Sequence, residues 1–251
     1  LIASLRAVRP DFTLLPSADA QSMGMAALHT LGLNPCKGFG PIEGTFHYGY
    51  GYSALSSKDR LKELVYSQTF RRVPYASVNV VNSSYYEYAV AQRLVERARI
   101  RLVGDPVPQA SHIGQHAARL RLGLETSGRY LGLLGSLDRR KAVPELLAAF
   151  RAAKLGPNDR LLLAGRMDPT YAALIANEYH DLVGDGRIVV MDRFLTHAEL
   201  ECGYEAIDLA TIVYYKFPGL ASLALKAVAA GTPLIAHDFG WLRMAIRRFE
   251  L

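Results

Sequence analysis

The chain has 251 residues, half of them hydrophobic, and 29 Lys and Arg against 23 Asp and Glu give it a formal charge of +6. That length suffices for two domains of ordinary size, each with its own core, and no apolar run approaches the ~20 residues needed to span a bilayer. No signal peptide opens the sequence, and Cys36 and Cys202 stand far apart in no metal-ligand spacing, so a reduced, cytosolic compartment is expected and no metal is implied.

Apolar, β-branched runs alternate with helical periods along the first half. Strands are expected over 12–17, 40–46, 76–82 and 99–104, with helices near 20–32, 57–72 and 83–97. The middle helix starts at Ser56-Ser57, which can act as N-caps, and its period puts Leu61, Leu64 and Val65 on one face. This alternation is βαβ grammar. The two prolines of "GDPVPQ" (104–109) then bias the chain toward extended conformations and suggest a linker.

A second series follows, with strands expected at "YLGLLG", "RLLLAG", "RIVVMDRF", "LATIVYY" and "PLIAHDFG" and helices near 143–154, 197–207 and 222–230. Uninterrupted apolar strands between helices indicate parallel sheets covered on both faces. The expected class is α/β, with two doubly wound Rossmann-like domains, 1–108 and 109–251. Both ends look truncated, because the chain opens without Met in a helical stretch and stops in a helix after a strand.

Ligands of open α/β sheets sit at the C-terminal ends of strands, so the turns there are the candidate sites. In "YLGLLGSLDRRKAVPELLAAF" a strand ends at Gly135, a basic loop follows, and Pro144 suits a helix's first turn. Lys141 falls just before that helix N-terminus, where a cation opposes the helix dipole unless an anion reconciles them. Arg139, Arg140 and Lys141 read equally as a solvated basic turn. In "KFPGLASLALKAVAAGTPLIAHDFG", Gly219 precedes a helix starting near Ser222, giving a second helix N-terminus from the same sheet. Together the two favour a diphosphate site.

The basic balance, with a pI near 9.3, suits a nucleotide diphosphate, a phospholipid surface or nucleic acid, and equally a solvated surface. Its clusters are short, at Arg71-Arg72, Arg139-Arg140-Lys141 and Arg247-Arg248, so no stripe for DNA is visible.

The order "LLGSLDRRK", "RLLLAGR", "RIVVMDRFLTHAEL" and "YEAIDLATIVYYKFPGLASLALKAVAAGTPLIAHDFG" resembles the donor-binding domain of GT-B-fold glycosyltransferases, in particular glycosyltransferase family 4. The likeness is close over residues 110–251 and looser before them. It implies two domains facing a cleft and a retaining transfer from a nucleotide-sugar donor to a sugar, lipid or other small acceptor. No cofactor, metal or nucleic acid is implied, and peripheral membrane contact is left open beside a cytoplasmic location.

Mapped on the family, Gly135 and Lys141 fit the loop that holds the donor diphosphate, while Ser136 stands where the family has Arg. Arg193 and Phe194 take the turn that holds the base. Gly219, Leu220 and Ser222 would form a cradle of backbone amides. His47 of "EGTFHYGYGY" takes the place of the family's cleft-facing His, as a catalytic contact to sugar or acceptor; it reads equally as a surface residue beside a Gly-Tyr loop.

The family's signature of two glutamates falls on Pro218 and Lys226 here, and neither offers a side-chain acceptor. Two readings stay open: an active transferase whose donor contacts have moved to other residues, or a degenerate member that binds a sugar nucleotide, glycan or partner without turnover. A GT-B-like sugar-nucleotide enzyme of another kind, such as an epimerase, is a third. Lys226, one turn into its helix, is positioned to lean back over the glycine turn.

Overall fold

The computed structural model describes residues 3, 7–49, 56–105, 112–215, 217 and 221–249. They fall into two compact units: one runs up to Asp105 and includes the last helix from Phe239, and the other takes the described residues of 112–217 and 221–238.

The first unit is a parallel sheet of β1 (Thr13–Leu15), β2 (Ile42–Phe46), β3 (Tyr75–Val80) and β4 (Ile100–Leu102), in that spatial order. Helices α1 (Ala18–Thr30), α2 (Ser57–Arg72) and α3 (Ser83–Ala91) make the crossovers. Aromatic side chains fill the core: Phe46 lies 4.7 Å from Phe70 and 5.5 Å from Tyr75, ring centre to ring centre.

The expected start of α2 is present, with Ser56 Oγ accepting from Asp59 N–H at 3.2 Å. The expected inner face is not. Leu61, Leu64 and Val65 are 60%, 59% and 47% exposed, while Glu63, Tyr66, Ser67, Thr69 and Phe70 are buried. Tyr66 and Phe70, four residues apart, bury more apolar area than the leucines would and dock against Phe46, so the helix turns its aliphatic stripe outward.

The second unit is a five-stranded parallel sheet in the order β7-β6-β5-β8-β9. Its strands are β5 (Arg129–Leu134), β6 (Asp159–Ala164), β7 (Ile188–Met191), β8 (Leu209–Ile212) and β9 (Leu234–Ala236). Helices α4 (Gln115–Arg121), α5 (Val143–Ala152), α6 (Pro169–Glu178), α7 (His180–Gly184), α8 (His197–Ala206) and α9 (Ser222–Ala229) flank it. The final helix α10 (Gly240–Phe249), expected within the second domain, packs on α3 of the first unit.

Every expected strand is present, each within a few residues of its expected place. Helices α4, α6 and α7 were not expected. The helix expected at the chain's start lies largely outside the described residues, and so does the linker, of which 106–111 are not described.

At the lower edge of the second sheet, Arg119 is only 3% exposed and every part of its guanidinium is engaged. Nε donates to Ala206 O at 2.8 Å, one terminal nitrogen to Thr126 O at 2.9 Å and Gly128 O at 3.2 Å, and the other to Asp208 Oδ2 at 2.8 Å. Asp208 also accepts from Tyr130 N–H at 2.7 Å, so one ion pair, its guanidinium buried and its carboxylate partly exposed, ties the start of β8 to the start of β5.

Candidate functional site

The order β7-β6-β5-β8-β9 reverses direction at β5: the chain moves outward through β6 and β7, then returns to the other side of β5 with β8. The crevice beyond the C-terminal ends of β5 and β8 is where an open α/β sheet binds ligands. The loop after β5 holds Gly135, Ser136 and Lys141, and α9 follows β8.

That loop folds locally. Asp138 accepts from Arg140 N–H at 3.0 Å and forms an ion pair with the Arg140 guanidinium at 2.6 Å, closing a single 3₁₀ turn over Arg139–Lys141. The hydrogen bond from Arg140 holds the Asp138 carboxyl below the usual carboxylate range. Ala142 then takes a left-handed conformation at φ 46°, uncommon for a residue with a Cβ, and α5 begins.

This turn separates the three basic residues. Arg139 and Arg140 stay exposed, but Lys141 is turned inward and only 3% exposed. Its Nζ donates to Leu134 O, the last carbonyl of β5, and stands 5.9 Å from the centre of the Tyr214 ring. Burial pulls its pKa from 10.5 down to about 7. The reading of Lys141 as part of a solvated turn is therefore corrected.

Two glycines make room for this arrangement. Gly165, at the end of β6, has φ 138°, and a Cβ on it would lie 2.1 Å from Gly135 O. A Cβ on Gly135 (φ 82°) would lie 3.1 Å from Lys141 Nζ and 3.2 Å from Leu223 Cδ1. The end of β5, the Lys141 ammonium and the first turn of α9 thus converge. Ala221 precedes α9, Ala224 N–H bonds back to Ala221 O at 2.8 Å, and among the described residues no side chain caps the helix N-terminus, which makes the turn a candidate for an anion.

Ser136 and Ser222 are exposed in these turns, and Lys226 is half-buried one turn into α9, with no ion pair among the described residues. Gly219 and Leu220, expected in the amide cradle, lie outside the described residues, as does Pro218. Arg193 and Phe194 follow β7. Arg193 forms an ion pair with Glu199 at 2.7 Å, which lowers the Glu199 pKa to about 2, and Phe194 is 80% exposed. Glu199 completes a capping box with Thr196 at the start of α8.

Sequence reasoning did not single out the residues that stitch these loops. Tyr215 N–H donates to Arg140 O at 2.7 Å, Arg140 stands over the Phe217 ring at 5.6 Å, and a ring nitrogen of His237 donates to Tyr214 O at 2.8 Å. The aromatic run after β8 was the available signal.

In the first unit, His47 sits just past β2. Its Nε2 lies 3.0 Å from Pro16 O and donates to that carbonyl. Asp19, in the first turn of α1, accepts from the N–H groups of His47 and Tyr48, both at 3.1 Å, and from the Tyr66 hydroxyl at 2.5 Å. The backbone bearing His47 is thereby fixed. Tyr50 and Tyr52 of the same segment lie outside the described residues.

No family model matches the chain. Over 134 residues it is 31% identical to the D-inositol 3-phosphate glycosyltransferase of Mycolicibacterium gilvum, a match covering 52% of this chain and 29% of that protein. Among solved structures, Anabaena HepE in complex with UDP-glucose superposes with a TM-score of 0.68 at 15% identity, over 97% of this chain and 64% of that one. Sucrose-phosphate synthase from Thermosynechococcus elongatus superposes with a TM-score of 0.67 at 21% identity, over 98% of this chain and 61% of that one. The chain thus spans less than a third of the curated relative and under two thirds of the solved structures. In sequence it is similar to glycosyltransferases, and in fold it shares the two Rossmann-like units of the GT-B kind.

Proposed function

We propose that the second unit binds a nucleoside diphosphate sugar at the switch point of its sheet, and that the protein is a glycosyltransferase that transfers the sugar with retention, as family 4 enzymes do. The observation that carries this reading is the buried Lys141 ammonium beside Gly135 and the open first turn of α9. A buried cation without a carboxylate in contact is costly, and a diphosphate entering there would repay it with charge-assisted hydrogen bonds. The similarity to glycosyltransferases and the UDP complexes of the structural neighbour support the nucleotide as ligand.

The test is a thermal-shift series with UDP, UDP-glucose and uridine. Binding to the folded state adds about 2.7 kcal/mol at a hundredfold excess over the dissociation constant. UDP and UDP-glucose are expected to raise the melting temperature and uridine is not. Identical melting with all three would remove the diphosphate site.

A specific observation keeps a second reading open: Ser136, Pro218 and Lys226 stand where the family places an Arg and two Glu. A protein that binds the nucleotide without turnover has the same thermal shifts but releases no UDP from UDP-sugars. If turnover is found, His47→Ala should lower it at least tenfold, within the 10²–10⁴-fold scale of general acid–base groups, and leave UDP affinity within about twofold, since His47 belongs to the first unit. Loss of UDP affinity with intact turnover would displace His47 from the catalytic role.

A further inference from the structure

The pairing of β5 with β6 continues past the ends of both strands. Leu134 lies opposite Ala164 in the sheet, and beyond it Leu137 bridges Met167 in the same parallel register. Gly135 N–H donates to Ala164 O at 2.9 Å and Leu137 N–H to Arg166 O at 2.8 Å. This register sets Ser136 directly beside Arg166, at the spacing of about 4.8 Å between neighbouring strands. Leu137 and Met167 are buried, whereas Ser136 and Arg166 are both exposed at the crevice end of the sheet.

Among the described residues the Arg166 guanidinium makes no hydrogen bond, ion pair or ring contact. The acids of the surrounding loops are engaged elsewhere. Asp138 pairs with Arg140, Asp168 accepts from the N–H and hydroxyl of Thr170 at 2.9 and 2.6 Å, and Asp192 accepts from Met167 N–H at 2.8 Å. A guanidinium keeps its charge at every working pH, and its fork of donors matches a phosphate group in two bonds at once. An arginine side chain is also longer than the strand spacing, so it can extend over Ser136 to the turn at Gly135.

We propose that Arg166 is the second cation of the diphosphate site, reaching across from the end of β6 while Lys141 is presented by the loop after β5. This rests on the reading that a nucleoside diphosphate binds over Gly135 and the first turn of α9. The small side chain of Ser136 leaves the space beside that turn open, and Arg166 is the neighbour that the register brings to it. The cation that the family resemblance expects at position 136 has moved sideways to the adjoining strand end, where spacing along the chain does not reveal it. Arg139 is the poorer candidate, because it is exposed in the 3₁₀ turn after Asp138, outside this register.

The test is calorimetric titration of the intact chain and its variants with UDP. Arg166→Gln should weaken UDP binding about ten- to a hundredfold, the scale of a charge-assisted hydrogen bond. Adding Ser136→Arg to Arg166→Gln should restore the affinity to within about threefold of the parent, because a guanidinium returns to the same place from the adjoining strand. A purely structural role for Arg166 gives no such rescue. Arg139→Gln removes an equal, exposed charge nearby and should change affinity less than about twofold. The main-chain carbonyl at position 166 still accepts from Leu137 N–H in every variant, so circular dichroism should match the parent. If the parent binds UDP and Arg166→Gln binds it equally, or Ser136→Arg fails to rescue, or Arg139→Gln costs as much, Arg166 is removed from the site while the nucleotide reading stands. A parent that does not bind UDP overturns both.

Discussion

Replacing Arg119 with methionine is expected to destabilise the chain by about 3 kcal/mol, the low end of the range for removing one partner of a buried ion pair. The methionine fills much of the space but donates nothing, so the carbonyls of Ala206, Thr126 and Gly128 lose their donor together with Asp208 Oδ2. Asp208 keeps its hydrogen bonds from Tyr130 N–H and the Gln115 side chain, and its side chain is 35% exposed, which moderates the loss. The stacking of the guanidinium on Tyr130, 4.9 Å from the ring centre, is lost as well. Urea unfolding followed by circular dichroism measures the effect, and a midpoint equal to the parent's would show that the network is ornamental. Asp208→Asn in the same background should add little, because the pair is already broken.

The consequence extends to function through the sheet. The clamp fixes where β8 starts relative to β5, and both strands run in parallel to the crevice where Gly135, Lys141 and α9 meet. A slip at the lower edge would move Tyr214 and Tyr215 away from Lys141 and Arg140.

How far the sequence carries this architecture can be judged residue by residue. Strand positions were legible because buried parallel strands are short, continuous apolar runs, and β5 and β6 are almost nothing else. The inward face of α2 was not, because Leu61, Leu64 and Val65 and the pair Tyr66 and Phe70 both follow a helical period. Only the partners waiting in the sheet, Phe46 above all, decide between them. In the site, the position of Lys141 after a strand was legible from spacing. Its burial was not, since it depends on a left-handed Ala142 and on Tyr214, 73 positions along the chain. Long-range stitches such as Tyr215 N–H to Arg140 O leave no local pattern.

Lys141→Met is expected to do two opposite things. Lys141 has a pKa of about 7 in the folded chain and 10.5 as its ordinary value, because burial disfavours its charge. Below pH 7 the folded state must carry this buried charge at full cost, on the order of 3–5 kcal/mol. Between about pH 7 and 10.5 the unfolded chain holds a proton that the folded chain has shed, so the stability of the parent should rise with pH through that window. Methionine, similar in volume and uncharged, removes the penalty: the variant should be more stable than the parent at pH 6, and the gap should close toward pH 10. Denaturant midpoints measured at pH 6 and 9 decide this, and a variant less stable at pH 6 would mean that the Lys141 contact with Leu134 O outweighs the burial cost. Binding should move the other way. Loss of one charge-assisted hydrogen bond weakens UDP by about 1.5–3 kcal/mol. A diphosphate beside the ammonium favours its charged form, so the parent should take up a proton on binding above pH 7 and lose affinity as the pH rises. Calorimetry in two buffers of different ionisation enthalpy detects that proton, and an unchanged UDP affinity in the methionine variant would remove Lys141 from the site. Both effects together would identify Lys141 as a cation kept buried for a ligand at the expense of the fold's own stability.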